Sequence, residues 1–511
     1  MADSKPILSR RELLAMALAA GSASYLGIHV KQARAAPTGP WGDYPEALQK
    51  WQLPPAKRAK NVLELFIHGG LCPWETFYCI DDPAYGQIDK QMWWTFQSGV
   101  DSMSNWVKKN PEITGGMALQ DFALDAKGKL VKFGAFADPL RQRTDITSRL
   151  RMHVMKHAIF PHTQARALAA TGVDLGSPRI AGLGTSVGHY LLDHPTSATG
   201  SASYVIAEGP MILPFASLVG QHPTAAKPIE LRVDGNPSAL FTSVAAQPPL
   251  VHDVAGALRA TYMARATVPG TKTHLRSAAL TGLDTVDGQL KGLADLTQSL
   301  TPADFLSPGG VSLVGAFSHD LTATKLKLAA KLLTQPATAT KYITVVDTSY
   351  GQNSSGFGIE AYDFHTTYIK RAVDKYPAMW KRLCAIINAP GEKNPAKLNL
   401  DETLIVINTD FGRSPVPQDS QNGRNHYPTA YTTLMFGGPV GAAQMGIVGA
   451  IDKFAQPFEA LRPAETRAAV LVALGIYPFS KETFGFEEMD GVKTEAEAIA
   501  KITNKVLGVT L

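Results

Sequence analysis

The chain has 511 residues, of which 45% are apolar and 18% charged, and a formal charge of +5. Such a composition fits one large α/β domain with insertions, or two domains, and excludes an intrinsically disordered chain. No basic stripe runs along it, so nucleic acid is not an expected partner.

At the N-terminus, Ser9-Arg10-Arg11-Glu12-Leu13-Leu14 resembles the twin-arginine export signal. A mild apolar segment follows at 13–28, then a small-residue exit at Ala33-Arg34-Ala35, so cleavage before Ala36 is expected. Gly21 and Gly27 interrupt that segment, which is short for a membrane span, and no other apolar run is long enough to cross a bilayer. Residues 1–35 carry a net +3, which leaves +2 on the mature chain. The expected location is periplasmic or secreted, with the twin-arginine translocase as a partner during export and no transmembrane span in the mature chain. Cys72, Cys79 and Cys384 form an odd set without paired metal-binding spacing. Both a Cys72–Cys79 bridge and small buried thiols fit.

Residues 36–60, rich in Pro, Trp and Lys, read as an extended mature N-terminus. Asn61 to Ile67 is an apolar run with the length of a buried strand, and it hands over at His68-Gly69-Gly70 to a loop carrying Glu75 and Thr76. In an open α/β sheet, ligands gather where strands end, which makes Glu75 a candidate metal ligand and Thr76 a candidate nucleophile or ligand. Residues 81–130 read as an irregular excursion, and 130–136 and 150–155 as further strands. The second of these leads to His157 and then His162, at the start of a helix over 163–170 with Thr163 as a cap. Orphan amides and the helix dipole make that start an anion site, to which Arg166 adds charge.

A short strand is expected at 203–207 and a helical insertion at about 215–340. The run 342–346 reads as a strand that empties into a loop bearing Asp363 and His365. Asp-x-His offers a carboxylate oxygen and an imidazole nitrogen in a narrow space, a pairing that suits zinc or manganese. A helix is expected over 366–388. The run 403–407 then ends at Asp410 and Arg413, and Gly423-Arg424-Asn425-His426 precedes a last strand at 432–436. Helices at 463–474 and 493–507 close the chain. This divides it into a signal (1–35), an extended segment (36–60), one α/β domain (61–480) and a helical tail (481–511).

The strand-end words Phe66-Ile67-His68-Gly69-Gly70, Tyr362-Asp363-Phe364-His365, Asp410-Phe411-Gly412-Arg413-Ser414-Pro415, Gly423-Arg424-Asn425-His426-Tyr427 and Gly437-Gly438 follow one another in a characteristic order. With them, the mature chain resembles the family filed as domain of unknown function 1501 over most of residues 58–480. That family typically shows a strand ending in Gly-Gly, then Gly-Trp-Asp-Thr-His, Glu-Phe-Gly-Arg-Thr-Pro and Gly-Arg-Asp-His-Trp words, and a Gly-Gly loop. It is grouped with the alkaline-phosphatase-like superfamily, which includes sulfatases and phosphodiesterases. The resemblance implies an alkaline-phosphatase-like α/β fold, with a mostly parallel central sheet between helices, and metal-dependent ester hydrolysis in active members. Residues 162–172 are also similar to the sulfatase nucleophile helix, with His162 where the cysteine would stand and Arg166 where the arginine would. The formylglycine precursor is therefore absent, which argues against an ordinary sulfatase. Asn425 stands where the family has Asp, and Asp410 where it has Glu.

The resulting expectation is an exported metal-dependent hydrolase of phosphate or sulfate esters. Asp363, His365, Asp410 and His426, helped by Glu75, would hold a divalent zinc, manganese or calcium ion. Arg166 and Arg413 would hold a small anionic ester, and Thr76 or His162 would be the nucleophile. The rival expectation is a non-catalytic exported binding or assembly protein, serving an unknown protein partner, with a degraded metal site.

Overall fold

The run Asn61–Ile67 feeds two cores at once. In the computed structural model it forms strand β1, with Leu63, Leu65 and Ile67 on one side and Val62 and Phe66 on the other. Apolar side chains on both faces of a strand call for helices on both faces of its sheet. The structure describes residues 40–82, 119–173, 182–194, 204–208, 229–232, 321–335, 340–348, 362–418, 423–480 and 483–510, with a few shorter pieces. The segment expected to be an export signal (1–35) and most of 215–340 lie outside the described residues.

In chain order the main elements are β1, the hairpin β2 (Gln120–Leu124) and β3 (Leu130–Phe133), β4 (Arg151–Met155), α1 (His162–Thr171), α2 (Leu183–Asp193) and β5 (Tyr204–Glu208). Next come β6 (Ile229–Arg232), α3 (Leu321–Thr334), β7 (Tyr342–Asp347), α4 (Tyr368–Ala385) and β8 (Thr403–Thr409). The chain ends with β9 (Gly412–Pro417), β10 (Arg424–Tyr427), β11 (Tyr431–Phe436), β12 (Gly446–Val448), α5 (Pro463–Ala473) and α6 (Glu495–Lys501). Eight strands make the central sheet in the order β12-β4-β11-β8-β1-β7-β5-β6. Only β11 runs antiparallel to its neighbours. The reason is local: the β9–β10 hairpin turns the chain back beside β8 without a helical crossover, and such a short return gives an antiparallel pair.

Helices α3 and α4 cover one face, with Leu326, Leu328, Val373 and Trp380 in its core. On the other face α1, α2, α5 and α6 contribute Ala169, Val187, Leu471 and Ile499. A fully buried side chain of this size stabilises by roughly 1.5–3 kcal/mol. Among the described residues, no helix is long and apolar enough to cross a membrane.

Several boundaries differ from expectation. The expected strand at 130–136 ends at Phe133 and pairs with β2 and, through Lys132, with Cys79, outside the central sheet, and Ala135–Ala137 turns as a 3-10 helix. Residue Thr163 does not cap α1, because the helix starts one residue earlier, at His162, with Pro161 at the cap and no side-chain bond there. Within 215–340, the described residues include strand β6 as well as helix α3. The helical tail is not separate from the domain: Ile499, Ile502 and Val506 sit in the same core as α5.

Strand β4 buries a histidine. Nε2 of His153 meets the carbonyl of Val506 at 3.1 Å. Burial, helped by the charge of Arg151, pushes its pKa from 6.5 down to about 3, with the Val506 carbonyl pulling the other way. The unfolded chain therefore binds the extra proton first, so stability is lost as the pH drops from 6.5 to about 3. We expect a His153→Gln variant to flatten the pH dependence of urea unfolding in that window by about 1.4 kcal/mol per pH unit. Equal slopes for parent and variant would show that His153 does not titrate on unfolding.

Candidate metal centre

Strands β1, β7 and β8 run in the same direction, and β1 and β8 bring His68 and Asp410 to the same end of the sheet. The turn beyond β1 needs glycine. Residue Gly69 has φ +103°, and a Cβ there would lie 2.5 Å from the backbone nitrogen of Asp363. That close crossing puts the segment 362–365 directly over the strand ends. Residue Thr367 then takes φ +49° at the start of α4, a conformation uncommon for a residue with a side chain.

The β9–β10 hairpin packs on the same segment. The amide of Arg424 donates to the carbonyl of Phe364 at 2.9 Å, and a Cβ on Gly423 would meet the carbonyl oxygen of His365 at 1.7 Å. This docking brings His426 to His365. Helix α1, whose alanines at 165, 167, 169 and 170 allow close packing, delivers His162 at its first position.

Six side chains converge. Nδ1 of His162 lies 2.5 Å from Oδ2 of Asp410, and Nδ1 of His68 lies 3.8 Å from the same oxygen. On its other edge, Nε2 of His162 lies 3.3 Å from Oδ2 of Asp363, close enough for charge attraction though without hydrogen-bond alignment. Oδ1 of Asp363 is 3.0 Å from Nε2 of His365 and 3.6 Å from Nε2 of His426. Among the described residues, two groups have the geometry to hold a cation: His68, His162 and Asp410, and His162, Asp363 and His426.

The electrostatics follow from this crowding. Burial lowers the pKa of His162, but the Asp410 and Asp363 carboxylates outweigh it and raise the value to about 9. For His68 burial wins over the same carboxylates, and its pKa falls to about 4. Burial also lowers that of His426, with Asp363 opposing. Both carboxyls resist burial and stay ionised well below the usual range, Asp363 through its three histidines and Arg413, and Asp410 through His162 and His68.

Two imidazoles are aimed at each other. Nε2 of His365 and Nε2 of His426 are 2.9 Å apart. Nδ1 of His426 faces the carbonyl of Phe160 at 2.8 Å, and Nδ1 of His365 faces Oε1 of Gln418 at 3.2 Å. Since a carbonyl only accepts, each Nδ1 donates there, and a ring without a second proton presents a lone pair at Nε2. Lone pairs at that distance repel unless a cation or an added proton stands between them. Backbone or side-chain acceptors that orient ligating histidines in this way are typical of metal sites. The residues present therefore fit a divalent cation, and their nitrogens favour zinc or manganese over calcium, which takes oxygen ligands.

The other expected site residues are engaged elsewhere. Glu75 is fully buried, 2.8 Å from Arg424, and accepts from the Cys72 thiol and the Tyr368 hydroxyl at 2.9 Å each. A carboxylate so occupied anchors the hairpin and stands apart from the candidate ligands. The Thr76 hydroxyl is buried too and donates to the carbonyl of Cys72 at 2.5 Å, so it is not presented as a nucleophile. Arg413 is buried under the cluster, where its guanidinium donates to Asp363, to the Gly69 carbonyl and, at 3.1 Å, to the Arg424 carbonyl. It orients Asp363 and does not face a substrate. Arg166 lies on the buried side of α1, close enough to Asp410 for their charges to interact. The three cysteines are free thiols; Cys72 and Cys79 are buried, so the bridge does not form. Asn425 spends its side-chain oxygen on the amide of His426 at 2.8 Å. Sequence reasoning missed His68 as a candidate ligand, although its place at the end of a buried strand before Gly-Gly is the same signal that pointed to Asp410.

A polar cavity of about 530 Å³, bordered by Asn61, Asn388, Glu392 and Thr403, opens at the opposite ends of β1 and β8 and contains no histidine. No curated protein and no solved structure matches this chain. Residues 359–502 do match a family model, described as Protein of unknown function (DUF1501). That stretch carries Asp363, His365, Asp410, Arg413 and His426, so the match supports the DUF1501 family name for this chain.

Proposed function

We propose that the chain is an exported metal-dependent hydrolase of phosphate or sulfate esters, with an alkaline-phosphatase-like fold. The observation that carries this reading is the pair of Nε2 atoms of His365 and His426, 2.9 Å apart beside Asp363. When bound there, a zinc or manganese ion supplies Lewis-acid polarisation of the ester and acidifies a water molecule. The chain's own residues do the remaining work. The Phe160 carbonyl and Gln418 hold the two imidazoles in the ligating tautomer. Arg413 keeps Asp363 ionised and aimed at the cluster. The first turn of α1, where backbone N–H groups lack helical partners, offers donors to an anionic group beside His162. With Thr76 occupied by its own turn, water is the nucleophile in this reading. Export rests on the Arg10-Arg11 signal.

The rival scaffold reading drew on Asn425, but that residue caps the backbone beside His426, a task that does not need a carboxylate. The test is hydrolysis of p-nitrophenyl phosphate, bis-p-nitrophenyl phosphate and p-nitrophenyl sulfate by zinc- and manganese-loaded protein. Turnover is expected with at least one ester, lost on chelation and restored by metal. If folded, metal-loaded protein turned over none of them, the hydrolase reading would fall.

A further inference from the structure

The candidate ligands divide into two groups that share one ring. Nδ1 of His162 faces Asp410 and His68, while Nε2 of the same imidazole faces Asp363, His426 and His365. The two nitrogens of an imidazole lie on opposite edges of the ring, so one cation cannot use both. Each half also has an unsatisfied buried nitrogen. Nδ1 of His68 in the first half has no hydrogen-bond partner and almost no solvent contact, and Nε2 of His162 in the second has only its 3.3 Å charge contact with Asp363. A buried polar atom without a partner is costly, and such orphans are uncommon unless a ligand or ion completes them.

We propose that His162 bridges two divalent cations through its imidazole. One ion takes Nδ1 of His162, His68 and Asp410; the other takes Nε2 of His162 with Asp363, His365 and His426. Each half combines imidazole nitrogen with carboxylate, the donor mixture that zinc, manganese and copper accept. Both ring nitrogens give up their protons to solvent as the ions bind, since ligands must be deprotonated. Two carboxylates and the bridging anion then offset the charge of the two ions. This assignment rests on the metal-site reading above and extends it. It also removes His162 from the candidate nucleophiles, because neither ring nitrogen is left to attack.

Copper(II) serves as the probe, because two copper ions joined by one imidazolate couple magnetically whereas isolated ones do not. Chelator-treated protein is titrated with copper(II) chloride, desalted in glycine to strip loosely held ions, and read by elemental analysis and electron paramagnetic resonance. The expected result is two coppers per chain, with a doubly integrated spin signal well below that of two isolated ions. In His162→Ala, any copper still bound should give its full signal. His68→Ala leaves the bridging residue in place and should bind one copper with full signal, so the assignment does not depend on the folding of His162→Ala. Two coppers with full, uncoupled signal in the parent would overturn the bridge. One copper per chain would also overturn it while leaving the single-ion hydrolase reading intact, and no copper at all would overturn both.

Discussion

The chain from Ala36 onward is expected to retain a stoichiometric divalent metal after desalting, and Asp363→Ala/His426→Ala is expected to lose the ion held beside Asp363. The two substitutions remove the carboxylate that touches three imidazoles and one of the two opposed Nε2 donors. The half built from Asp363, His365 and His426 then loses two of its donors, whereas His68, Asp410 and Nδ1 of His162 keep theirs. The same loss should appear in stability. An ion that binds only the folded chain stabilises it by about 2.7 kcal/mol at a hundredfold excess over Kd. Chelation should therefore lower the melting temperature of the parent by more than that of the double variant. Elemental analysis with thermal melts, and circular dichroism to confirm folding, measures this. Absence of metal in both folded proteins would remove the basis for hydrolysis, and the scaffold reading would take its place.

Removing Arg467 is expected to cost the fold about 3–5 kcal/mol, as for other buried pairs broken on one side. Its guanidinium reaches from α5 to Oε1 of Glu64 in the middle of β1 at 2.6 Å, with both side chains nearly inaccessible to water. The carboxylate also accepts from the Tyr342 hydroxyl at 2.6 Å and from Asn408 at 2.8 Å. In Arg467→Leu these neutral donors remain, but the charge loses its counter-ion in a medium that cannot solvate it. Against a typical total of roughly 5–15 kcal/mol, such a loss should move the urea midpoint far below that of the parent. A change under about 1 kcal/mol, the scale of an exposed pair, would mean that water reaches Glu64. Because Asn408 lies two residues before Asp410 and also donates to the carbonyl of Ala169 on α1, at 3.3 Å, this network joins the floor of the candidate site to the core.

Much of the architecture was legible because strands and helices advertise themselves locally. The apolar runs beginning at residues 61, 342 and 403 each became a strand of the central sheet, with ends within two residues of expectation. Asp363, His365 and Asp410 were legible as candidates for the same reason, since each lies beyond a strand end, whereas His426, expected in a loop, lies within β10. Glu75 met the same local criterion and belongs elsewhere. Nothing near it in sequence reveals Arg424, which lies 349 residues further along the chain. Arg413 likewise looked like an anion-binding residue, and only the crossing of segment 362–365 over Gly69 shows that it is covered.

By itself, then, the sequence determined the α/β class, the strand ends and the supply of candidate ligand side chains, because hydrophobic period and turn chemistry act over a few residues. Tertiary structure alone decided which of those side chains meet. It set His162 between two carboxylates, added His68, withdrew Glu75 and Thr76, and turned Arg413 inward. Those outcomes depend on strand order and on how the β9–β10 hairpin docks, contacts between residues tens to hundreds of positions apart that leave no pattern in any short stretch of the chain.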